Sequence, residues 1–498
     1  MSGTAPHASS AEQVRAHELL HRVLARDRRR VVARLARRLG LRHLALAEDA
    51  MQVAALRAWQ RWPRDGLPAS PLGWLYRVAQ REAIDQLRRA ARERPWPAHD
   101  DEPADLPASA VRDGTPDAAG FGGLGPPGAH EAHDLHDAPE PHALHGLHDP
   151  HRWLAVPPAV RFAGELDDDE LALLFAACHP SLPPASQVVL ALRVATNLPL
   201  ELLAEGLFST PAALAQRLAR ARGALAGESL ALPAGAELAP RREAVSTVLA
   251  LMFRCGLRAA GGRSGPIAGA GGGAGAAAGG SDRGEAMALC WESVRLARAL
   301  AAHPATAHAD ADALAATLLL HGARLTGRFD DAGDIVPLPG QPRDRWDAGM
   351  VRLGLAHLDA ARRAPRLSRW HLMAGIAAEH ATAPEPARTD WAAIVRYYEM
   401  LLALDPSPAP RLAHAIALAE AGEPARARDC LRALQPVVPA GLRAHLLAAM
   451  SRAVERAGDI ERARSWLAEA VACAPGGPEG ADGRLLARRL RTLGGPAA

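Results

Sequence analysis

The chain has 498 residues and a mass of 52.4 kDa, and at about 100–200 residues per domain that length calls for more than one hydrophobic core. Apolar residues make up 49% and charged residues 23%, which excludes a wholly disordered chain and a collagen-like fibre. All 58 basic residues are arginine, so Schiff-base and P-loop lysine chemistry are excluded and every cationic contact uses a planar guanidinium.

Aromatics are only 4%, and the β-branched and aromatic runs that strands favour are scarce, so an all-α fold is predicted. The net charge of +3 hides an asymmetry. Residues 11–94 hold 19 Arg against 9 acids, whereas 95–170 hold 3 Arg against 16 acids.

The first block, 11–94, reads as three helices. Val14, Leu19, Leu20, Val23, Leu24, Val31, Val32 and Leu35 fall at helical spacing, with Gly40 as the stop. LALAEDAMQVAALRAWQRW forms the second helix, which Pro63 is expected to end. The third starts with Ser70 as N-cap and Pro71 in the first turn.

Residues 95–166 are rich in Pro, Gly, His and acids, too polar to offset their ordering entropy, and are expected to be a disordered linker. Within it His130, His133, His136, His142, His145, His148 and His151 keep a period of three. That period permits loose transition-metal binding, but no Cys or fixed geometry accompanies it, so no metal is assigned.

Helical periodicity returns over 167–227, where Ser209 or Thr210 followed by Pro211 opens a new helix after a short turn. A third helical region, 241–498, carries a Gly/Ala-rich insert at 259–284 that is expected to be flexible. Beyond it Pro406, Pro439 and Pro475 close helices. Twelve residues before each stand Ile394, Ala427 and Ala463, with Tyr398, Leu431 and Leu467 four positions later. The intervals of 33 and 36 residues predict stacked helix hairpins of tetratricopeptide type.

Cys178, Cys255, Cys290, Cys430 and Cys473 are too few and too far apart for a disulfide framework or a CxxC metal site, which fits a reducing cytoplasm. No N-terminal signal core and no stretch of roughly 18–20 apolar residues is seen, so no membrane partner is expected.

On the third helix Trp74, Tyr76, Arg77, Arg81, Arg88 and Arg89 combine aromatic faces with guanidinium groups, the pairing that holds unstacked bases and phosphates. The competing reading is an amphipathic helix with a core Trp and a solvated Arg face. Together LAEDAMQVAALRAWQRWP (46–63) and SPLGWLYRVAQREAIDQLRRAARER (70–94) resemble regions two-point-two to two-point-four of extracytoplasmic-function sigma factors of the sigma-70 family. The resemblance implies that Asp49, Gln52 and Leu56 dock on the clamp helices of core RNA polymerase. It also implies that Trp74, Tyr76, Arg77, Arg88 and Arg89 capture the melted minus-ten element of promoter DNA. The family usually carries Asn where Arg81 stands and Glu where Val53 stands.

The 167–227 module resembles region four, a helix-turn-helix that reads the minus-thirty-five element, which implicates Thr210, Gln216, Arg217, Arg220 and Arg222. Leu202, Leu203 and Ala204 depart from the usual Glu-Ile-Ala, and Ala212 and Ala213 stand where polar readers are expected. The CHPSLP stretch at 178–183 invites a Cys-His nucleophile, but adjacent residues cannot form a catalytic pair, and the stretch resembles the entry to region four in one subgroup. That subgroup carries a C-terminal tetratricopeptide-like extension, a resemblance that persists at 289–300, 318–347 and 389–408.

The expected function is a sigma factor that binds core RNA polymerase, recognises a promoter and directs initiation. A helical-repeat tail that offers a surface to a protein or peptide partner would modulate it. No catalytic residue and no cofactor are expected. The alternative is a polymerase-binding scaffold with little promoter specificity. A hydrolase or metalloenzyme centred on the His tract or Cys178 is a third reading.

Overall fold

A computed structural model of the chain describes residues 10–40, 43–93, 168–196, 198, 200–207, 209–225, 237–261 and 278–493. Among these residues every extended element is a helix, and strand-like pairing is limited to one antiparallel bridge between Phe329 and Ile335. The fold is all-α, as composition indicated.

Helix α1 (Ser10–Leu39) ends where Gly40 takes φ 92° and donates its N–H to the Ala36 carbonyl, a left-handed stop that Gly adopts without a Cβ clash. Helix α2 (Leu44–Asp65) runs through Pro63 instead of ending there. Pro63 has no N–H to give the Trp59 carbonyl. That oxygen lies 3.3 Å from His17 Nε2, whose ring stacks on Trp59 at 3.6 Å, so α1 supplies the partner that the proline withholds. Helix α3 (Pro71–Glu93) starts as expected, the Ser70 hydroxyl accepting from Gly73 N–H at 3.3 Å. Leu35, Leu44, Met51, Ala58, Leu75 and Ala79 fill the space between the three helices. Val14, placed on the apolar face by its spacing, is 53% exposed.

Helices α4 (Asp169–Ala177), α5 (Pro184–Ala195), α6 (Leu200–Gly206) and α7 (Pro211–Ala224) form the second module. Asp168 caps α4 by accepting from the N–H groups of Glu170 and Leu171. Every side chain from Leu171 to Cys178 is buried, because α4 is clasped between α1, α5 and the tail. Arg193 on α5 meets Glu48 on α2 at 3.3 Å. One apolar core therefore runs unbroken from Ala16 to Trp370.

The tail opens with α8 (Leu238–Gly261) and α9 (Ala278–Ala302), which cross closely at Gly256. A Cβ there would stand 2.7 Å from Cys290 Sγ. Both helices reach into the supposed insert: 259–261 and 278–284 are helical, and residues 262–277 lie outside the described part. The α8 helix is long and apolar enough to cross a membrane, contrary to the expectation that no such stretch existed. With 56% of its apolar window buried against protein, it serves as a core helix.

Helices α10 (Ala309–Gly322), α11 (Ala348–Ala361) and α12 (Arg369–Thr382) follow. The chain then continues as α13 (Trp391–Leu404), α14 (Pro408–Glu420), α15 (Pro424–Leu434), α16 (Ala440–Glu455), α17 (Ile460–Ala472) and α18 (Ala481–Thr492). Each packs on its predecessor. Ile394, Ala427 and Ala463 are fully buried on α13, α15 and α17, the second helix of each hairpin. Ion pairs lace the stack: Glu420 on α14 holds Arg452 on α16 and Arg456 just past its end, and Glu455 on α16 holds Arg489 on α18. The last helix turns back on the start of the tail. Arg484 pairs with Asp334 at 2.5 Å and donates to the Gly261 carbonyl, and Arg488 reaches Asp330 and Asp334.

Candidate nucleic-acid interface

Two stripes stand out on the first module. On α2, Asp49, Gln52 and Leu56 are all exposed, and their spacing of three and four residues sets them on one helix face. Leu56 is 63% exposed and Trp59, next along the stripe, 53%. Trp59 escaped the sequence reading, although its offset of three from Leu56 was legible. The result is a face with a polar end and an apolar end, open to solvent.

On α3, Trp74, Arg77, Arg81 and Arg88 share a second stripe through offsets of three, seven and fourteen. Trp74 is half-buried and meets the buried Trp62 edge-on, ring centres 5.8 Å apart, so its position is fixed by α2. Arg77 and Arg81 are exposed and form no ion pair among the described residues. Arg88 lies 3.8 Å from Asp85, both well exposed, a screened contact of little worth. These three guanidinium groups are available to a polyanion.

The structure does not bring all six predicted residues together. Tyr76 lies on the opposite flank of α3, where the Arg34 guanidinium covers its ring at 4.9 Å. Arg89 is drawn toward α2 by the buried carboxylate of Glu82, 3.7 Å away. Glu82 also accepts from Gln86 at 3.1 Å and from Arg57 at 2.6 Å. The Gln86 bond first, and then Arg57, hold its carboxyl below the usual range against the opposing effect of burial. Glu82 is thus an anionic brace between α2 and α3.

In the second module Thr210 caps α7, its hydroxyl accepting from Ala213 N–H at 3.2 Å. Leu214, Leu218 and Ala221 are buried, which turns Gln216 and Arg220 to solvent and leaves Arg217 half-buried at the margin. Ala212 and Ala213 are exposed at the start of the helix.

Cys178 is buried, and burial pushes its thiol up to about 12, so no thiolate is present near neutrality. His179 Nδ1 instead lies 2.7 Å from the Ser181 hydroxyl. Both observations speak against a Cys-His nucleophile. No group of three or more potential metal ligands occurs among the described residues, and the His tract lies outside them.

Comparison with known proteins gives three matches. Residues 24–93 match sigma-70 region 2, a span that includes both stripes. Residues 241–362 match a family of unknown function, DUF6596. An uncharacterized protein of Rhizobium meliloti (strain 1021) is 32% identical over 436 residues, covering 85% of this chain and 86% of the relative. No solved structure matches the chain.

Proposed function

Because the chain belongs to the same family as this Rhizobium meliloti protein and carries a sigma-70 region 2 at its N-terminus, we propose that it is an extracytoplasmic-function sigma factor with a regulatory helical-repeat tail. Sigma-70 proteins are non-enzymatic initiation factors, and region 2 is the part that meets core RNA polymerase and promoter DNA. The observation that carries the reading is the coincidence of that match with two solvent-facing stripes of different chemistry. The α2 stripe of Asp49, Gln52, Leu56 and Trp59 suits a protein partner, with an exposed apolar end for burial and a polar end for register. The α3 stripe of Trp74, Arg77, Arg81 and Arg88 suits a single strand, guanidinium groups tracking phosphates beside an aromatic edge. Helices α4 to α7 act as region four, and a cytoplasmic location follows from the role. The helix hairpins of the tail, tetratricopeptide-like in period, offer a protein or peptide partner an extended surface.

In vitro transcription with purified core polymerase on a promoter library tests this, comparing the full chain with one ending at Gly227. Discrete starts that depend on the full chain are expected.

One observation favours a second reading, a polymerase-binding scaffold with little promoter specificity. The α7 helix presents Ala212 and Ala213 outward at the end where base edges would be read, and the Thr210 hydroxyl is engaged in the cap. Polymerase binding without selected starts from either chain would favour it.

A further inference from the structure

Between α10 and α11 the chain sets two arginines against one tryptophan. Leaving α10 it passes His321, Arg324 and Arg328, and it returns through Arg343 and Trp346. Arg324 Nη2 donates to His321 Nδ1 at 2.8 Å. Arg343 is fixed by donating Nη1 to the carbonyls of His380 and Ala383, at 3.0 and 2.7 Å. The guanidinium carbons of Arg324 and Arg343 stand 5.9 and 4.5 Å from the same Trp346 ring centre.

Three donors meet here with nothing to donate to. Nε of Arg324, Nε of Arg343 and Nε1 of Trp346 are buried and lack an acceptor among the described residues. None of Arg324, Arg328 and Arg343 forms an ion pair among the described residues. Elsewhere in the tail half-buried Arg295, Arg484 and Arg489 each meet carboxylates. Burial first, and then repulsion from Arg328 and Arg343, brings Arg324 down to about 10. Burial and the neighbouring Arg324 and Arg343 bring His380 down to about 4, so at neutral pH the positive charge is that of the guanidinium groups.

Buried charge without a counter-charge is strongly unfavourable, and unpaired buried donors add to it. A ligand that brings both negative charge and several acceptor oxygens relieves both. We propose that Arg324 and Arg343, stacked about Trp346, with Arg328 near Arg324, form a binding site for a tetrahedral oxyanion, either inorganic phosphate or the phosphate group of a small phosphorylated molecule. Guanidinium groups bind phosphate oxygens through charge-assisted hydrogen bonds, and a tetrahedral anion offers acceptors to more than one of them at once. The site is independent of the polymerase reading, since it uses no residue of either stripe.

Thermal unfolding of the full chain tests it, in inorganic phosphate against sodium chloride at matched ionic strength, and then in a nucleoside monophosphate. The expected result is a saturable rise in midpoint with phosphate that chloride does not give. Arg324→Met is expected to abolish the rise while leaving the midpoint in chloride unchanged or higher, because it removes an unpaired buried charge. Arg343→Gln, which keeps one donor for the carbonyls, is expected to lose the rise as well and decides the matter where Arg324→Met does not fold. Arg363→Gln, exposed and outside the cluster, keeps it. A larger rise with the nucleotide identifies a phosphorylated molecule, and an equal one the free anion. No rise beyond chloride, or a rise that survives both cluster variants, overturns the proposal.

Discussion

The Arg295 guanidinium on α9 donates to Glu170 Oε2 on α4 at 2.5 Å, joining the tail to the second module across 125 residues of sequence. The same guanidinium reaches Asp168, the cap of α4, and Glu292 on its own helix. Burial opposes ionisation of Glu292, but Arg295 overcomes it and holds that carboxyl below its usual range. Burial and then Glu292 hold Glu170 well above its own, beneath the same cation. Arg295→Met leaves these carboxylates buried without their cation and should cost about 3–5 kcal/mol. The urea midpoint, measured for the full chain, checks this.

The α3 stripe makes an ionic-strength prediction. Each phosphate contact on a single strand contributes roughly 0.7 to the slope of log K against log salt. Arg77→Ala with Arg81→Ala should therefore flatten that slope by roughly 1.4 in the polymerase-bound protein. Fluorescence anisotropy with a labelled single strand measures it.

His380 links stability to acid. Its ring nitrogen stays neutral down to about 4 in the fold, through burial and then the charges of Arg324 and Arg343, whereas an unfolded His titrates near about 6.5. Between these values the unfolded chain holds more protons. Stability is thus complete above about 6.5 and falls by up to about 1.4 kcal/mol per pH unit toward 4. Burial lowers His321 in the same direction. Unfolding free energies at pH 7, 6 and 5 should show this decline, and His380→Gln should make it shallower.

Two glycines predict opposite outcomes. At Gly256 a Cβ meets Cys290 Sγ at 2.7 Å and the Ala286 carbonyl at 2.8 Å, so Gly256→Ala should destabilise by about 1–3 kcal/mol. At Gly223, in the last turn of α7, nothing lies within 4 Å, and Gly223→Ala should stabilise by about 0.4–1 kcal/mol. Paired thermal midpoints of the two variants are the check.

Local signals were legible where local chemistry decides. Gly40, the Ser70 cap and the buried Ile394, Ala427 and Ala463 follow from spacing and side-chain type. Pro63 misled because the acceptor it orphans is met by His17, a residue 42 positions from Trp59 that no local window contains. The α3 stripe was half legible: helical offsets place Arg77, Arg81 and Arg88 together, whereas the capture of Tyr76 by Arg34 depends on how helices pack. Their functional roles came from the family resemblance, not from spacing. The unpaired cations around Trp346 were invisible in the sequence, because an arginine's lack of a partner is a property of the folded surroundings alone.

The return of α18 to the 330–334 segment also bears on the order of assembly. Neighbouring hairpins of the tail can form from contacts a few tens of residues apart, each with a small loop to close. The Arg484–Asp334 pair instead closes a loop of 150 residues, and an entropic cost that grows as about (3/2)RT ln n is met only once both ends are in place. Docking of α18 therefore belongs late in folding and early in unfolding, a slow step set by topology rather than by the strength of its ion pairs.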